Sequence, residues 1–186
     1  TGATVGTSSA RRAAQLLHLR PDIQVVAFRG NVETRLRKLE EGVAVATFLA
    51  CAGLMRLGLG HHIREQLTPE VMLPAVAQGA IGIECRANDN EMLTRLAAIN
   101  HAPTMTCLNA ERAFLEVLDG SCRTPIAGLA TLEGNELHLR GEVLSLDGRI
   151  RHADALRGSV QDARALGITL GKRLRAMAGE ALLQHG

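Results

Sequence analysis

Residues 23–50 read IQVVAFRGNVETRLRKLEEGVAVATFLA. Two short β-branched runs, "IQVVAF" and "VAVATFLA", flank a segment of helical character, "VETRLRKLEEG". Apolar runs of this length, bounded by turn residues, suit strands buried on both faces, as in a parallel sheet. Asn31 is placed to cap the intervening helix and Gly42 to end it. Strands and helices alternating at these lengths predict a parallel α/β sheet.

The same alternation extends in both directions. Upstream, "ATV" reads as a strand, "GTSS" as a turn and "ARRAAQLLHLR" as a helix stopped by Pro21. Downstream, "AGLMRLGLGHHIREQL" reads as a helix, "AIGIEC" as a strand and "NEMLTRLAAINH" as a capped helix. After "HAPT" the character changes. A helix over residues 106–118 leads into a small-residue loop, and "IAGLATLEGNELHLRGEVLSLDGRIRHADALRG" reads as three antiparallel strands joined by "EGN" and "LDG" turns. "SVQDARALGITLGKRLRAMAGEALLQH" closes the chain as one long amphipathic helix. The expected fold class is α/β: a partial parallel-type domain of the periplasmic-binding-protein-like kind, then a small α+β domain with a three-stranded antiparallel sheet.

Bulk composition narrows the function. The chain has 186 residues, 46% of them apolar and only 2% aromatic, so its core must be aliphatic. No apolar run approaches the ~18 residues of a membrane span. A net charge of +2 and a pI near 8.5 are mild. With three Phe and no Trp or Tyr, stacking platforms for single-stranded nucleic acid are lacking. The four cysteines, Cys51, Cys85, Cys107 and Cys122, form no CxxC pair and have no His at metal spacing. Reduced thiols in a cytoplasmic setting are expected. The opening "TGATVGTSSARR" has no initiator Met and no signal-peptide core, and it starts almost on a strand-to-helix junction. A fragment is expected.

The arginines fall in a pattern. Arg11 and Arg12 open the first helix behind Thr7, Ser8 and Ser9. Arg29 ends the second strand, Arg35 lies in the opening turns of the next helix, and Arg56 follows the third strand. Ligands of open parallel sheets bind outside the carboxyl ends of the strands. Helix N-termini there attract anions, and the guanidinium fork grips carboxylates. A cleft for a small ligand with many carboxylates or phosphates competes with solvated helix faces as the explanation. Among the thiols, Cys51, Cys85 and Cys107 read as small buried hydrophobes. Cys122, in "EVLDGSCRTPIAG" (residues 116–128), sits beside Arg123 in a small-residue loop that favours the thiolate. None of the seven His pairs recognisably with it, so it reads as an anchor rather than a nucleophile.

"VGTSSARRAAQL", "FRGNVETRLRKLEEG", "LACAGLMRLGL", "LPAVAQGAIGIECR", "AERAFLEVLDGSCRTPIAG" and "ARALGITLGKRL" occur in this order and together closely resemble the porphobilinogen deaminase (hydroxymethylbilane synthase) family over essentially the whole chain. The resemblance implies a transferase of tetrapyrrole (haem) biosynthesis. It condenses four porphobilinogen molecules into hydroxymethylbilane, releasing ammonia each time, on a dipyrromethane primer held by a thioether. The primer's cysteine matches Cys122, and the flexible loop would let the lengthening chain shift. Cofactor-side contacts match Thr7, Ser9, Arg11, Arg12 and the backbone of Gly53; substrate carboxylates match Arg11, Arg29, Arg35 and Arg56, with Gln78 in the hinge.

The resemblance further implies a partial second domain over residues 1–70, a hinge with a strand and helix returning to an absent first domain over 71–101, and a C-terminal α+β domain over 102–186. The family's catalytic aspartate, a lysine and further arginines belong to that first domain. Asp119 and Asp147 are not substitutes, so the chain by itself is expected not to turn over substrate. The expected partners are porphobilinogen, the growing polypyrrole and the first domain, with no nucleic acid or membrane, and the full-length protein is expected to be monomeric. Departures from the family pattern are Ser121 for glycine before the cysteine, Val45 for a common acid, Ala10 for leucine and Ala77 for glycine beside Gln78. The alternatives are a non-catalytic small-anion-binding α/β module, a thiol-dependent transferase and a degenerate structural partner.

Overall fold

The computed structural model describes residues 1–119 and 124–184. Its first sheet is parallel, with β1 (Thr4–Gly6) between β2 (Gln24–Val26) and β3 (Ala46–Thr47). Val5 aligns with Val25 on one side and Ala46 on the other. Helices α1 (Ala10–Leu19) and α2 (Val32–Glu40) make the crossovers. Each starts on a side-chain cap: Ser9 Oγ accepts from Arg12 N at 3.3 Å, and Asn31 Oδ1 from Thr34 N at 2.9 Å. Glu33 in the first turn of α2, with Arg37 and Lys38 in its last, complements the helix dipole. Asn31→Ala is expected to cost about 1 kcal/mol, measured by urea unfolding. Gly6 lets β1 lie against the buried Phe28 ring, because a β-carbon there would stand 2.4 Å from it.

The strands of this sheet are shorter than the sequence suggests, and they are not buried on both faces. Val43 and Val45 are exposed, Val45 at 74%. The helix expected across 52–67 is instead α3 (Cys51–Arg56), followed by a 3-10 turn at Gly60–His62. Gly58 stops it: the Gly58 amide donates to the Met55 carbonyl (3.1 Å) and the Leu59 amide to the Leu54 carbonyl (2.8 Å), a Schellman closure. The segment 80–85 forms no strand. It pairs with no described strand, and Ile81 is 92% exposed. A capped helix, α4 (Asn90–Ala97), follows as expected, its cap being Asp89.

Helix α5 runs Ala102–Leu118, four residues longer at its start than the sequence reading placed it. Pro103 occupies the first turn, where its missing N–H costs nothing, behind His101 as cap. The meander forms as expected: β4 (Ile126–Glu133), β5 (Glu136–Leu144) and β6 (Arg151–Ser159), antiparallel in the order 4-5-6. A 3-10 turn (Val160–Asp162) leads into α6 (Ala163–Gln184). Gly179, at φ 69° and ψ 166°, breaks the helix that the sequence reads as continuous. The core of this half is Phe114 and Leu118 of α5, Leu137, Leu139 and Val143 of β5, and Leu170 and Leu174 of α6. Alternation along β5 sends Arg140, Glu142 and Leu144 to the opposite face, toward α1.

Contacts between the halves are mostly polar and well defined. The Gly128 amide donates to the Pro74 carbonyl at 3.0 Å. His18 Nδ1 lies 2.9 Å from the Gly148 carbonyl, and Arg140 pairs with Glu70 at 3.1 Å. Gly148 has φ +71°, and a β-carbon there would lie 2.6 Å from the Ala14 carbonyl oxygen. That turn therefore needs glycine both for its backbone conformation and for close approach to α1.

Candidate functional site

In the order β2-β1-β3 the chain leaves β1 toward one side and returns on the other, so the topological switch point is the carboxyl end of β1. Thr7, Ser8 and Ser9 stand there. With Arg11, Arg12 and Arg35 they line a cavity of about 610 Å³, closed by Ala75, Val76 and Gln78 on one side and by Leu115, Thr124 and Ile126 on another. None of these lining residues is an acid. Thr124 lies two residues after Cys122 in the chain. Cys122 itself, with Arg123, falls outside the described residues.

The hydroxyls are held in place as acceptors. Thr7 Oγ1 accepts from Ser9 N (3.2 Å), Ser8 Oγ from Phe28 N (2.9 Å) and Ser9 Oγ from Arg12 N. Their hydroxyl hydrogens remain available to an anion. Arg11 is nearly buried; it donates to the Leu73 carbonyl (2.6 Å) and to Gln78 Oε1 (3.2 Å). Arg12 donates to the Phe48 carbonyl (3.1 Å) and Arg35 to the Gly30 carbonyl (2.9 Å). Burial, then the neighbouring Arg12 charge, lowers the Arg11 guanidinium to about 10, with Glu142 offsetting part of the effect. Arg12 is lowered by burial and then by Arg35. Among the described residues, none of the three makes an ion pair. Three like charges thus crowd a half-dry cavity with carbonyls and an amide as partners, an arrangement that a multivalent anion would relieve.

The other sequence candidates are distributed differently. Gln78 lines the cavity and also accepts from Ala75 N at 3.3 Å. Arg29 is exposed outside the cavity, at the junction after β2, its carbonyl held by Lys38 Nζ at 3.0 Å. Arg56 is exposed at the C-terminal end of α3, and Gly53 lies within α3 with its amide donating to the Ala50 carbonyl at 3.0 Å. Arg29, Gly53 and Arg56 line no part of this cavity. Burial, and secondarily Glu111, pushes the Cys107 thiol up, as suits a packing cysteine.

One buried acid that braces the site escaped the sequence reading. Glu111 is buried on α5, where its Oε2 accepts from Ala77 N (2.7 Å) and its Oε1 from Ala130 N (2.8 Å). It thereby ties the turn carrying Gln78 to the C-terminal half. The available signal was a lone acid on the apolar stripe formed by Ala110, Ala113, Phe114 and Leu118.

The fold is a parallel α/β sheet whose switch point gathers three guanidinium groups, three hydroxyls and no acid, joined to a small α+β unit. Residues 1–94 match the family model described as "Porphobilinogen deaminase, dipyromethane cofactor binding domain", and residues 105–176 match "Porphobilinogen deaminase, C-terminal domain". The porphobilinogen deaminase of Paracoccus denitrificans (strain Pd 1222) is 56% identical over 177 residues, covering 95% of this chain and 56% of that relative. The chain belongs to the porphobilinogen deaminase family, and it spans little more than half the length of that relative. Family membership does not favour a non-catalytic anion-binding module. Among the described residues, no helix is long and apolar enough to cross a membrane, and no group of three or more His, Cys, Asp or Glu could hold a metal ion.

Proposed function

We propose that this chain holds the primer and the growing product of a tetrapyrrole-forming transferase, which joins four porphobilinogen units into hydroxymethylbilane and releases one ammonia per unit. The observation that carries the reading is the acid-free cavity, where Arg11, Arg12 and Arg35 meet Thr124 of the Cys122 loop. A dipyrromethane carries four carboxylates on two rings, and the residues present fit it. Three guanidiniums without ion pairs face the cavity, and the volume suits a ligand of that size. When bound, the dipyrromethane supplies the primer to which porphobilinogen units are joined, and Cys122 is the residue that would tether it.

The remaining work falls to the chain's own side chains. Arg11 and Arg12 would hold carboxylates nearest the primer, with Thr7 and Ser9 adding hydroxyl donors and Gly53 a backbone contact. Arg11, Arg35, Arg29 and Arg56 would receive the carboxylates of incoming and joined units. Arg29 and Arg56, being exposed, suit a product that lengthens outward. Arg11 remains charged at neutral pH even with its depressed value. Gln78 would set the turn that links the cavity to the hinge. No carboxylate lines the cavity, so the acid that offsets charge as ammonia leaves is not among these residues. On that ground the chain by itself is expected not to turn over substrate.

We also propose the division into residues 1–70, 71–101 and 102–186, and a periplasmic-binding-protein-like character for the first unit. The 2-1-3 strand order and its switch-point site support that character. A cytoplasmic, monomeric full-length protein completes the proposal. The test is the intact mass of the protein isolated from cells, with a peptide map around Cys122. A mass excess of two linked pyrrole units on that cysteine, lost in Cys122→Ser, is expected. A bare Cys122 thiol would overturn the tether.

A further inference from the structure

A cavity of about 480 Å³ opens between α1, residues 69–73 and the face of β5 and β6 turned away from α5 and α6. It shares no lining residue with the arginine site. At its wall stands Glu142, which is 3% exposed. Glu142 Oε2 accepts from Arg151 Nε at 2.8 Å. Its Oε1 is buried and has no hydrogen-bond partner, which no other buried side-chain nitrogen or oxygen shares among the described residues. A carboxylate oxygen withdrawn from water without a donor is costly, and native proteins seldom leave one so.

The neighbours define what would satisfy it. The two guanidiniums on the cavity wall are already matched, Arg140 to Glu70 at 3.1 Å and Arg151 to Glu142 itself. Asp154, the third acid among the lining residues, is matched by Arg173 at 3.4 Å, so the unmet group is Glu142 Oε1 alone. His18 commits Nδ1 to the Gly148 carbonyl and so keeps Nε2 as a further acceptor. Leu19, Leu73 and Leu144 supply apolar wall. The unmet need is for a donor, preferably cationic, carried on an apolar body. The volume is that of a small-molecule site.

We propose that this cavity binds a small organic primary amine as its ammonium, with the charge on Glu142 Oε1 and the body against Leu73 and Leu144. The proposal is independent of the tetrapyrrole reading, which concerns the other cavity. The test is a backbone-amide NMR titration of the isotope-labelled 186-residue chain with benzylammonium chloride, and in parallel with benzyl alcohol, an uncharged analogue of similar shape. Saturable shifts at Gly141, Glu142 and Ala153–Ala155 are expected with the ammonium, and affinity about tenfold weaker for the alcohol. Glu142→Gln keeps an acceptor for Arg151 and is expected to weaken the ammonium to the level of the alcohol. The alcohol comparison needs no variant, so it stands even where the substitution disturbs folding. Absence of saturable shifts would show that Glu142 faces only ordered water. Equal affinity for amine and alcohol would reduce the cavity to an apolar pocket. Either result overturns the proposal.

Discussion

Gly167→Ala is expected to lower the unfolding free energy of the chain by about 3 kcal/mol, with the urea midpoint falling and the denaturant slope unchanged. The cause is the contact between α5 and α6. A β-carbon at position 167 would stand 2.2 Å from the Ala110 carbonyl oxygen and 2.9 Å from the Ala113 β-carbon. The first of these is backbone inside a helix, so no side-chain rotation relieves it. One turn on, a β-carbon at Gly171 would meet the Val117 β-carbon at 2.7 Å and the Phe114 carbonyl oxygen at 3.0 Å. The two glycines, four residues apart, form a flat strip on α6 against which α5 lies. Added bulk would push the helices apart and open the core around Phe114 and Leu170. The gain in helix propensity from Gly to Ala, about 1 kcal/mol, is smaller and does not compensate. Gly53→Ala in α3 is the matching control, because its β-carbon would meet nothing within 4 Å. If Gly167→Ala is as stable as the unaltered chain, the close helix packing is wrong.

The elements that the sequence reading places correctly are those specified locally. Asn31 and Gly42 bracket α2, Ser9 opens α1, and "EGN" and "LDG" fix the meander, because caps and turns act over three or four residues. The misplacements involve what lies far along the chain. "AIGIEC" has the composition of a strand, but a strand exists only where another offers its edge, and no described strand pairs with residues 80–85. Gly58 and Pro103 carry local signals that the sequence reading did not use: one stops α3 early and the other lies in the first turn of α5. Of the residues singled out from the sequence, Thr7, Ser9, Arg11, Arg12, Arg35 and Gln78 line one cavity. Arg29, Gly53 and Arg56 do not line it, since proximity to a strand end in sequence does not fix which way a side chain leaves it. Glu111 and Glu142 were invisible because each acquires its role from a partner 9 to 34 residues away.

Glu111→Ala carries the second large expectation, a loss of about 3 kcal/mol. The carboxylate is the acceptor for two amides, Ala77 N and Ala130 N, and alanine leaves both without one. Each stranded donor costs about 1–3 kcal/mol, partly offset because a desolvated charge is removed as well. Ala77 sharpens the case, since its φ of 60° is strained for a residue with a β-carbon and depends on outside contacts to hold it. Released from Glu111, the turn that positions Gln78, and through it Arg11, is expected to loosen. Hydrogen exchange would show this as faster exchange at Ala77 and Ala130 ahead of the rest of α5 and β4. The pH dependence supplies an independent readout. Burial raises the Glu111 carboxyl above its ordinary value, so the native state holds this proton more tightly than the unfolded chain. Its contribution is therefore full below the unfolded value near 4.5 and is lost as pH rises through the raised one. Glu111→Gln keeps the shape and one acceptor but does not titrate. The stability margin of the unaltered chain over Glu111→Gln is thus expected to be widest in acid and to narrow toward neutrality. A margin that widens with pH would mean that Glu111 is stabilised as the anion, and unchanged exchange at Ala77 and Ala130 in Glu111→Ala would remove the clamp altogether.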